Sequence, residues 1–324
     1  MNKMTLLPFE RRKPTIIVKR EAEPLENNQI SPEQRTAEEL VNYGLIVVNK
    51  PDGPTSHMVA EYVQKILHIK KSGHGGTLDP GVTGVLPVAT GNATRIIQAL
   101  LKAGKEYVCL MHVHKPFDEK KLRTVINSFV GKIKQMPPLR SAVKRVIRER
   151  EIYYIDILEI DKQEVLFRVG SQAGTYIRTL CVDIGRKIGG GAHMAELVRT
   201  KAGPFKLKDA VSLQDLEDAY WYWKNENNDK LLRHCIKPME FATQHLPKVW
   251  VQNSAITSLS HGANLNIPGI VKFEDDIKKD DLVAVMSMND ELILLGHAQM
   301  TSEEMQKNEK GFAVKSFKVF AKTN

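Results

Sequence analysis

Asp79 is the residue around which chemistry is easiest to imagine. It sits in His74-Gly75-Gly76-Thr77-Leu78-Asp79-Pro80-Gly81, where glycines let a ligand approach the main chain and Pro80 fixes the backbone after the acid. A carboxylate held in this way can serve as a nucleophile or a base. Read alone, it also fits a simpler description, since Asp beside Pro and Gly commonly bonds its own backbone in a turn. The other acid in a similar setting, Asp52 of Pro51-Asp52-Gly53-Pro54, is explained by its own turn, so no glycosidase-like pair is expected. No Gly-Lys-Ser/Thr closes the loop, which argues against a nucleotide-phosphate cradle. Cys109, His112 and His114 are close in sequence, but on a strand the cysteine faces away from both histidines, and no metal site is expected.

The elements around the acid follow from pattern. Tyr43 to Lys50 reads as an apolar strand ended by the Pro-Asp-Gly-Pro turn, and Ser56 can cap a helix carrying Val59, Val63, Ile66 and Leu67. Val85 to Ala89 anchors the loop in a core. Asn92 to Leu101 predicts a helix, Glu106 to His114 a strand buried on both faces, and Leu122 to Phe129 a helical stripe. Strands over Tyr153 to Ile160 and Glu164 to Gly170 follow, joined by a tight turn at Asp161-Lys162. Thr175 is placed to cap a helix running through Ile184, and Ala192 to Val198 reads as a second helix. Ser212 to Trp223 is amphipathic. From about Leu246 short strands take over, with Asn289-Asp290 as a turn.

The chain has 324 residues, enough for two domains. Its formal charge of +9 favours a polyanionic partner, nucleic acid first. Lys132, Lys134, Arg140, Lys144, Arg145, Arg148 and Arg150 cluster around Met136-Pro137-Pro138 as a phosphate grip. Three separated cysteines point to a reducing compartment, and neither a secretory leader nor a long apolar run is expected, so the reading is cytoplasmic, with no membrane association.

Gly73 to Pro80, with Gly84-Val85-Leu86 and Gly91-Asn92-Ala93-Thr94-Arg95, resembles the nucleophile motif of the TruB family of RNA pseudouridine synthases. Four further segments resemble that family's motifs in the same order: Gly44-Leu45 to Lys50-Pro51, Lys105-Glu106-Tyr107, Gly174 to Leu180, and Leu197 with Arg199-Thr200. Pro137 to Arg145, Gly191 to Leu197 and His245 to Trp250 are similar to the archaeal side of its dyskerin branch, whose members act in box H/ACA guide-RNA particles. Residues from Leu246 on, with Gly262-Ala263 and Pro268-Gly269-Ile270, resemble a PUA domain.

The resemblance implies an α+β fold: a mixed, mainly antiparallel sheet flanked by helices, plus a small β-barrel-like PUA domain. It implies an N-terminal arm over 1–38 packing on the C-terminal domain, a catalytic domain over 39–245 and a PUA domain over 246–324. Asp79 would be the nucleophile, Arg178 its ion-pair partner by one or two hydrogen bonds, and Tyr107 the ring against the uracil. Tyr176 and Leu197 would line the substrate pocket and His74 would help open the target nucleotide from its stack, while Arg140, Lys144, Arg145, Gly262, Ala263 and Asn264 would bind RNA. No cofactor and no metal are implied. The partners would be a guide RNA with an H/ACA box, substrate RNA (rRNA or tRNA) and small H/ACA accessory proteins. Two other readings stay open: modification of tRNA uridine-55 without a guide, and a non-catalytic RNA-binding scaffold.

Overall fold

The computed structural model describes residues 5–22, 31–137 and 144–321. Strand β1 (Ile16–Val18) lies in the N-terminal segment, and α1 (Ala37–Tyr43) begins at Thr36, whose hydroxyl accepts from the Glu39 amide. β2 (Gly44–Lys50) is buried along Leu45 to Val48. Helix α2 (Ser56–Ile66) turns Val59, Ala60 and Val63 inward. Its cap is Thr55, which accepts from the Met58 amide, and this frees Ser56 for a different task described below. β3 (Ser72–His74) and β4 (Thr83–Thr90) flank the Asp79 loop and pair antiparallel. The helix predicted from Asn92 is instead a 3-10 turn over 91–96 followed by the short α3 (Ile97–Leu101).

β5 (Lys105–Val113), α4 (Glu119–Asn127), β6 (Gly131–Gln135), β7 (Arg148–Asp161) and β8 (Glu164–Ser171) follow. Lys162 takes the positive φ of a tight hairpin turn between β7 and β8. α5 (Ile177–Ile188) packs against β9 (Ala192–Ala202), and β10 (Phe205–Lys206), α6 (Leu213–Glu226), α7 (Lys230–Cys235) and β11 (Ile236–Pro238) complete the first sheet. Its strand order is β11-β2-β4-β9-β5-β8-β7-β6, with β10 on β9 and β3 on β4, and every pair except β4 with β9 is antiparallel. β5 is therefore central, which explains its apolar residues on both faces.

β9 corrects the helix expected over Ala192 to Val198. Ala, Met, Glu and Leu are good helix formers, but Ala192 and Met194 point inward while His193 and Ala195 point out, and the segment pairs with β5 along its whole length with bulges at Ala195 and Thr200. The long pairing with a central strand overrides local propensity.

The second sheet comprises β12 (Lys248–Val251), β13 (Leu265–Asn266), β14 (Ile270–Glu274), β15 (Leu282–Met286), β16 (Leu292–Ala298) and β17 (Phe312–Val319), with α8 (Asn253–Ser260) and α9 (Ser302–Lys307) between strands. Its order is β1-β14-β12-β15-β16-β17-β13, so the N-terminal strand forms one edge. Arg12 fastens the same segment by pairing with Glu274 at 2.5 Å and Asp276 at 2.7 Å. The α+β expectation is borne out, with mainly antiparallel sheets and flanking helices. Among the described residues no helix is long and apolar enough to cross a membrane.

One apolar cluster runs between the sheets: Ile96, Leu100, Phe205 and Leu246 meet Trp250, Met286, Leu292 and Phe320. At its margin Arg35 makes two 2.8 Å bonds to Glu240, both side chains being buried, and Glu240 also accepts from the Leu292 amide at 3.3 Å. Burial pulls the Arg35 guanidinium down, and Glu240 more than restores it, leaving the pKa above its ordinary value. Removing one partner strands the other charge, so Arg35→Ala should cost about 3–5 kcal/mol in denaturant unfolding, while the paired change Arg35→Met with Glu240→Leu should cost much less. Equal losses in the two variants would contradict the pairing.

Candidate active site

Asp79 occupies the loop between β3 and β4 with its side chain 64% exposed, yet the backbone on either side is anchored. One residue before it, the Leu78 amide donates to Ser56 Oγ at 2.8 Å, and that hydroxyl donates back to the Leu78 carbonyl at 3.1 Å. One residue after it, the Pro80 carbonyl accepts from Lys50 Nζ at 2.8 Å and from the Gly53 amide at 3.2 Å. The same ammonium, fully buried, also reaches the carbonyls of Val82 at 2.9 Å and Pro51 at 2.8 Å. The loop closes on itself through the Val82 amide, which donates to the Asp79 carbonyl at 3.0 Å.

Arg199 provides the third anchor. Only 1% exposed, it donates from Nε to the Val85 carbonyl at 2.7 Å and from Nη2 to the Gly76 carbonyl at 3.1 Å. Burial holds its guanidinium below the ordinary value, and the Tyr107 hydroxyl, to which it hydrogen-bonds, offsets part of that. Arg199 can lie here because Gly84 pairs with it across β4 and β9 at φ +103, where a Cβ would come within 2.2 Å of the Arg199 carbonyl oxygen. Gly75, by contrast, is buried against Leu100 and Pro87.

Arg178, the second residue of α5, places Nη2 3.3 Å from Asp79 Oδ2. This is a single contact between side chains that are 54% and 64% exposed, so its electrostatic worth is modest and its role is to aim the acid. The start of α5 is fixed by Gln135, whose Oε1 accepts from the Tyr176 amide at 3.0 Å and whose Nε2 donates to the Tyr176 carbonyl at 3.1 Å. Thr175, expected as the cap, instead donates to the Gln172 carbonyl at 2.8 Å, and Tyr176 stands at the cap position.

Tyr107 on β5 faces Arg199 on β9 in register, and both Tyr107 and Leu197 pack on a cluster that includes Leu78, Val82 and Ile177. The structure thus brings Asp79, Arg178, Tyr107, Tyr176 and Leu197 into one region. His74 ends β3 opposite Val88, on a strand and not in a loop. Its Nδ1 is buried without a hydrogen-bond partner, and burial, reinforced by the Arg199 charge, lowers its pKa, which keeps the ring neutral at pH 7.

Lys144 and Arg145 are exposed on irregular chain before β7, and Arg140 lies outside the described residues. Gly262, Ala263 and Asn264 follow α8 on the second sheet, away from Asp79 in the fold. All three are exposed, with Gly262 at φ +88 and Asn264 Oδ1 accepting from the Ser316 amide at 3.0 Å. Cys109 is buried 3.6 Å from the Cys181 sulfur, while His114 bonds His193 at 2.9 Å and His112 bonds Glu164 at 2.6 Å. No metal-binding group of three such residues forms among the described residues. The sequence leaves Lys50, Gln135 and Arg199 without a role and gives Ser56 a different one, the helix cap that Thr55 in fact supplies. Lys50 and Arg199 fall inside recognised motifs, which is the available signal.

Comparison with known proteins matches the TruB family pseudouridylate synthase N-terminal domain over residues 64–177 and the tRNA pseudouridylate synthase B C-terminal domain over 178–244. A PUA domain matches over 247–320 and a DKCLD domain over 6–60. The chain is 52% identical to the probable tRNA pseudouridine synthase B of Pyrococcus abyssi, over 97% of its own length and 95% of that protein's. Against the Thermococcus onnurineus protein of the same name the identity is 53%, over 97% and 95% of the two chains. A crystal structure of a Cbf5-Nop10-Gar1 complex contains a chain that superposes with a TM-score of 0.94 at 51% identity, covering 98% of this chain and 97% of that one. A structure of an H/ACA ribonucleoprotein bound to a substrate RNA containing 2'-deoxyuridine gives 0.91 at 48% identity, covering 98% of each.

Two outcomes follow from the anchors. Lys50→Met takes a donor from three carbonyls, of which Pro80 keeps the Gly53 amide, and should lower unfolding free energy by about 3 kcal/mol, read by denaturant titration; a loss under about 1 kcal/mol would contradict the clamp. Lys105, whose Nζ donates to the Leu100, Leu101 and Ala103 carbonyls at 2.9, 3.3 and 2.7 Å, has its pKa pulled down to about 7 by burial and, secondarily, by Arg199. Because the folded value lies below the ordinary lysine value, its contribution to stability is present at high pH and is lost as pH falls through 7. Melting temperature should therefore rise more steeply between pH 6 and pH 10 in the natural protein than in Lys105→Met, and parallel profiles would refute the assignment.

Proposed function

The chain belongs to the TruB family of pseudouridylate synthases, and from that premise we propose that it converts chosen uridines in RNA to pseudouridine under the direction of a box H/ACA guide RNA, with Asp79 as the nucleophile. The reaction breaks the bond from uracil N1 to ribose C1′, turns the base and joins C5 to C1′. N1 gains a proton and C5 loses one, so atoms and electrons balance with no redox partner. What the enzyme must supply is a fixed carboxylate beside an opened nucleotide.

The single observation that carries this reading is the exposed Asp79 carboxylate paired with Arg178 on a loop anchored by Ser56, Lys50 and Arg199. Arg178 keeps the acid aimed. The Tyr107 ring lies against the flipped base while its hydroxyl stays with Arg199. Tyr176 and Leu197 line the pocket, and neutral His74 holds the opened strand. We assign residues 39–245 to catalysis, 246–324 to the H/ACA end of the guide with Gly262, Ala263 and Asn264 at the contact, and 1–38 to an arm on that domain. Arg140, Lys144 and Arg145 hold RNA phosphates.

The guided reading is supported by the near-complete superposition on chains from the Cbf5-Nop10-Gar1 complex and the substrate-bound H/ACA ribonucleoprotein. Small accessory proteins like those, with rRNA or tRNA as substrate, are the partners we propose, and the cytoplasm is the compartment. The name tRNA pseudouridine synthase B carried by the relatives favours a second reading, direct action on tRNA.

Tritium release from 5-tritiated uridine separates these. Release from a guide-paired target should rise at least about tenfold when guide RNA is added, and equal release from free tRNA would reverse the ranking. Asp79→Asn should abolish release while RNA affinity stays within about twofold, and unchanged release would remove Asp79 from its role. Arg178→Ala should lower kcat by roughly ten- to a hundredfold with less change in KM.

A further inference from the structure

Between the end of α2, the start of β3 and the outer face of α6 lies an open groove of about 660 Å³ that the reaction does not use. Helix α6 carries four consecutive aromatics, Tyr220 to Trp223, including two of the chain's three tryptophans. Tyr220 and Trp223 meet edge to face at 5.6 Å, pack inward on the cluster around Leu216 and Ala219, and turn their other sides to the groove. The Lys224 ammonium lies over the Trp223 ring, 3.7 Å from its centre, in the place that a stacking base would take, and the His68 ring lies 5.5 Å from Tyr220. Lys70, Lys71 and Lys224 face a single groove carboxylate, Glu38.

The cations are presented by pinned backbone. The Lys71 carbonyl accepts from the Gly91 amide at 2.9 Å, and the Lys70 carbonyl from Gln64 at 3.2 Å. His68, two residues past the end of α2, holds a left-handed backbone at φ +51, a conformation glycine adopts more cheaply. Flat ring faces beside an excess of ammonium groups match the chemistry of single-stranded nucleic acid, whose bases stack and whose phosphates pair with lysine. An acidic peptide would satisfy the lysines but has no use for the rings. Lys71 immediately precedes β3, whose last residue is His74, so a strand in the groove would lie along the hairpin that carries Asp79.

We propose that this groove is a further RNA-binding site, which stacks bases of an unpaired strand on Trp223 and Tyr220 and holds its phosphates with Lys70, Lys71 and Lys224. The inference rests on RNA being the substrate of the neighbouring site.

The test uses the full chain with Trp221→Phe, so that Trp223 and the buried Trp250 remain as emitters, titrated with an oligoadenylate of about ten nucleotides. Trp223 emission should be quenched. Lys70→Glu with Lys71→Glu should weaken binding roughly tenfold and reduce the log–log salt slope by about 0.7 for each phosphate that no longer pairs with a lysine. Read by the anisotropy of an end-labelled oligoadenylate, because these variants lack the emitter, Trp223→Leu should weaken binding roughly tenfold, and Trp223→Phe, which keeps a ring, should recover most of the affinity. If Trp223→Leu fails to fold, the surface lysine pair still decides. Affinities within about twofold of the parent, or quenching by an oligoglutamate but not by the oligoadenylate, would overturn the proposal. Tritium release at saturating RNA is read in the lysine variant alongside. Unchanged release with weakened oligoadenylate binding supports the groove as a separate site, whereas binding intact in a parent that releases no tritium would defeat the proposed reaction and leave the groove standing.

Discussion

Two buried cations govern the structure around Asp79. Lys50 and Arg199 have almost no exposed surface, and between them they donate to main-chain carbonyls of residues 51, 76, 80, 82 and 85, which bracket the acid. A charge taken out of water must find acceptors or the fold loses several kcal/mol. The dependence runs both ways: the loop cannot swing away without leaving an ammonium and a guanidinium unsatisfied. An exposed carboxylate thereby acquires the rigidity of a core residue. Arg199 sits on β9 between β4 and β5, so the clamp is built into the centre of the sheet.

Rigidity and exposure together suit an acid that must meet a large polyanion. The carboxylate remains open to a nucleotide, while Arg178 reaches it from a helix whose start is set by the buried amide of Gln135. The wider field is positive, at +9 overall, which draws RNA toward a site whose working group is itself negative. The cations next to the acid reconcile those signs locally. Lys50 carries Asp79 among the charges that favour its protonated form, although burial still leaves its pKa below the ordinary value.

Much of this is legible in the chain. The Asp79 loop, the Arg178 motif and the apolar strands around them are readable because motif spacing and side-chain alternation are local signals. Lys50 and Arg199 are present in recognised motifs, but nothing local says that a lysine or arginine is buried, since that depends on carbonyls supplied by distant segments. Ser56 reads as a cap because Thr55 beside it offers the same chemistry, and only the position of Leu78 distinguishes them. β9 reads as a helix because Ala, Met, Glu and Leu favour helices in isolation, whereas pairing with β5 is a property of the whole sheet. The N-terminal strand is visible as an apolar run, while its partner β14 is more than two hundred residues away.

The central claim is that buried cations hold the Asp79 loop, and amide hydrogen exchange tests it most directly. In the natural protein the Leu78 and Val82 amides, bonded to Ser56 and to the Asp79 carbonyl, should exchange nearly as slowly as those of β4. In Lys50→Met their exchange should quicken by at least about tenfold while amides of β16 keep their protection. Unchanged slow exchange at Leu78 and Val82 in that variant, or rapid exchange there in the natural protein, would contradict the account.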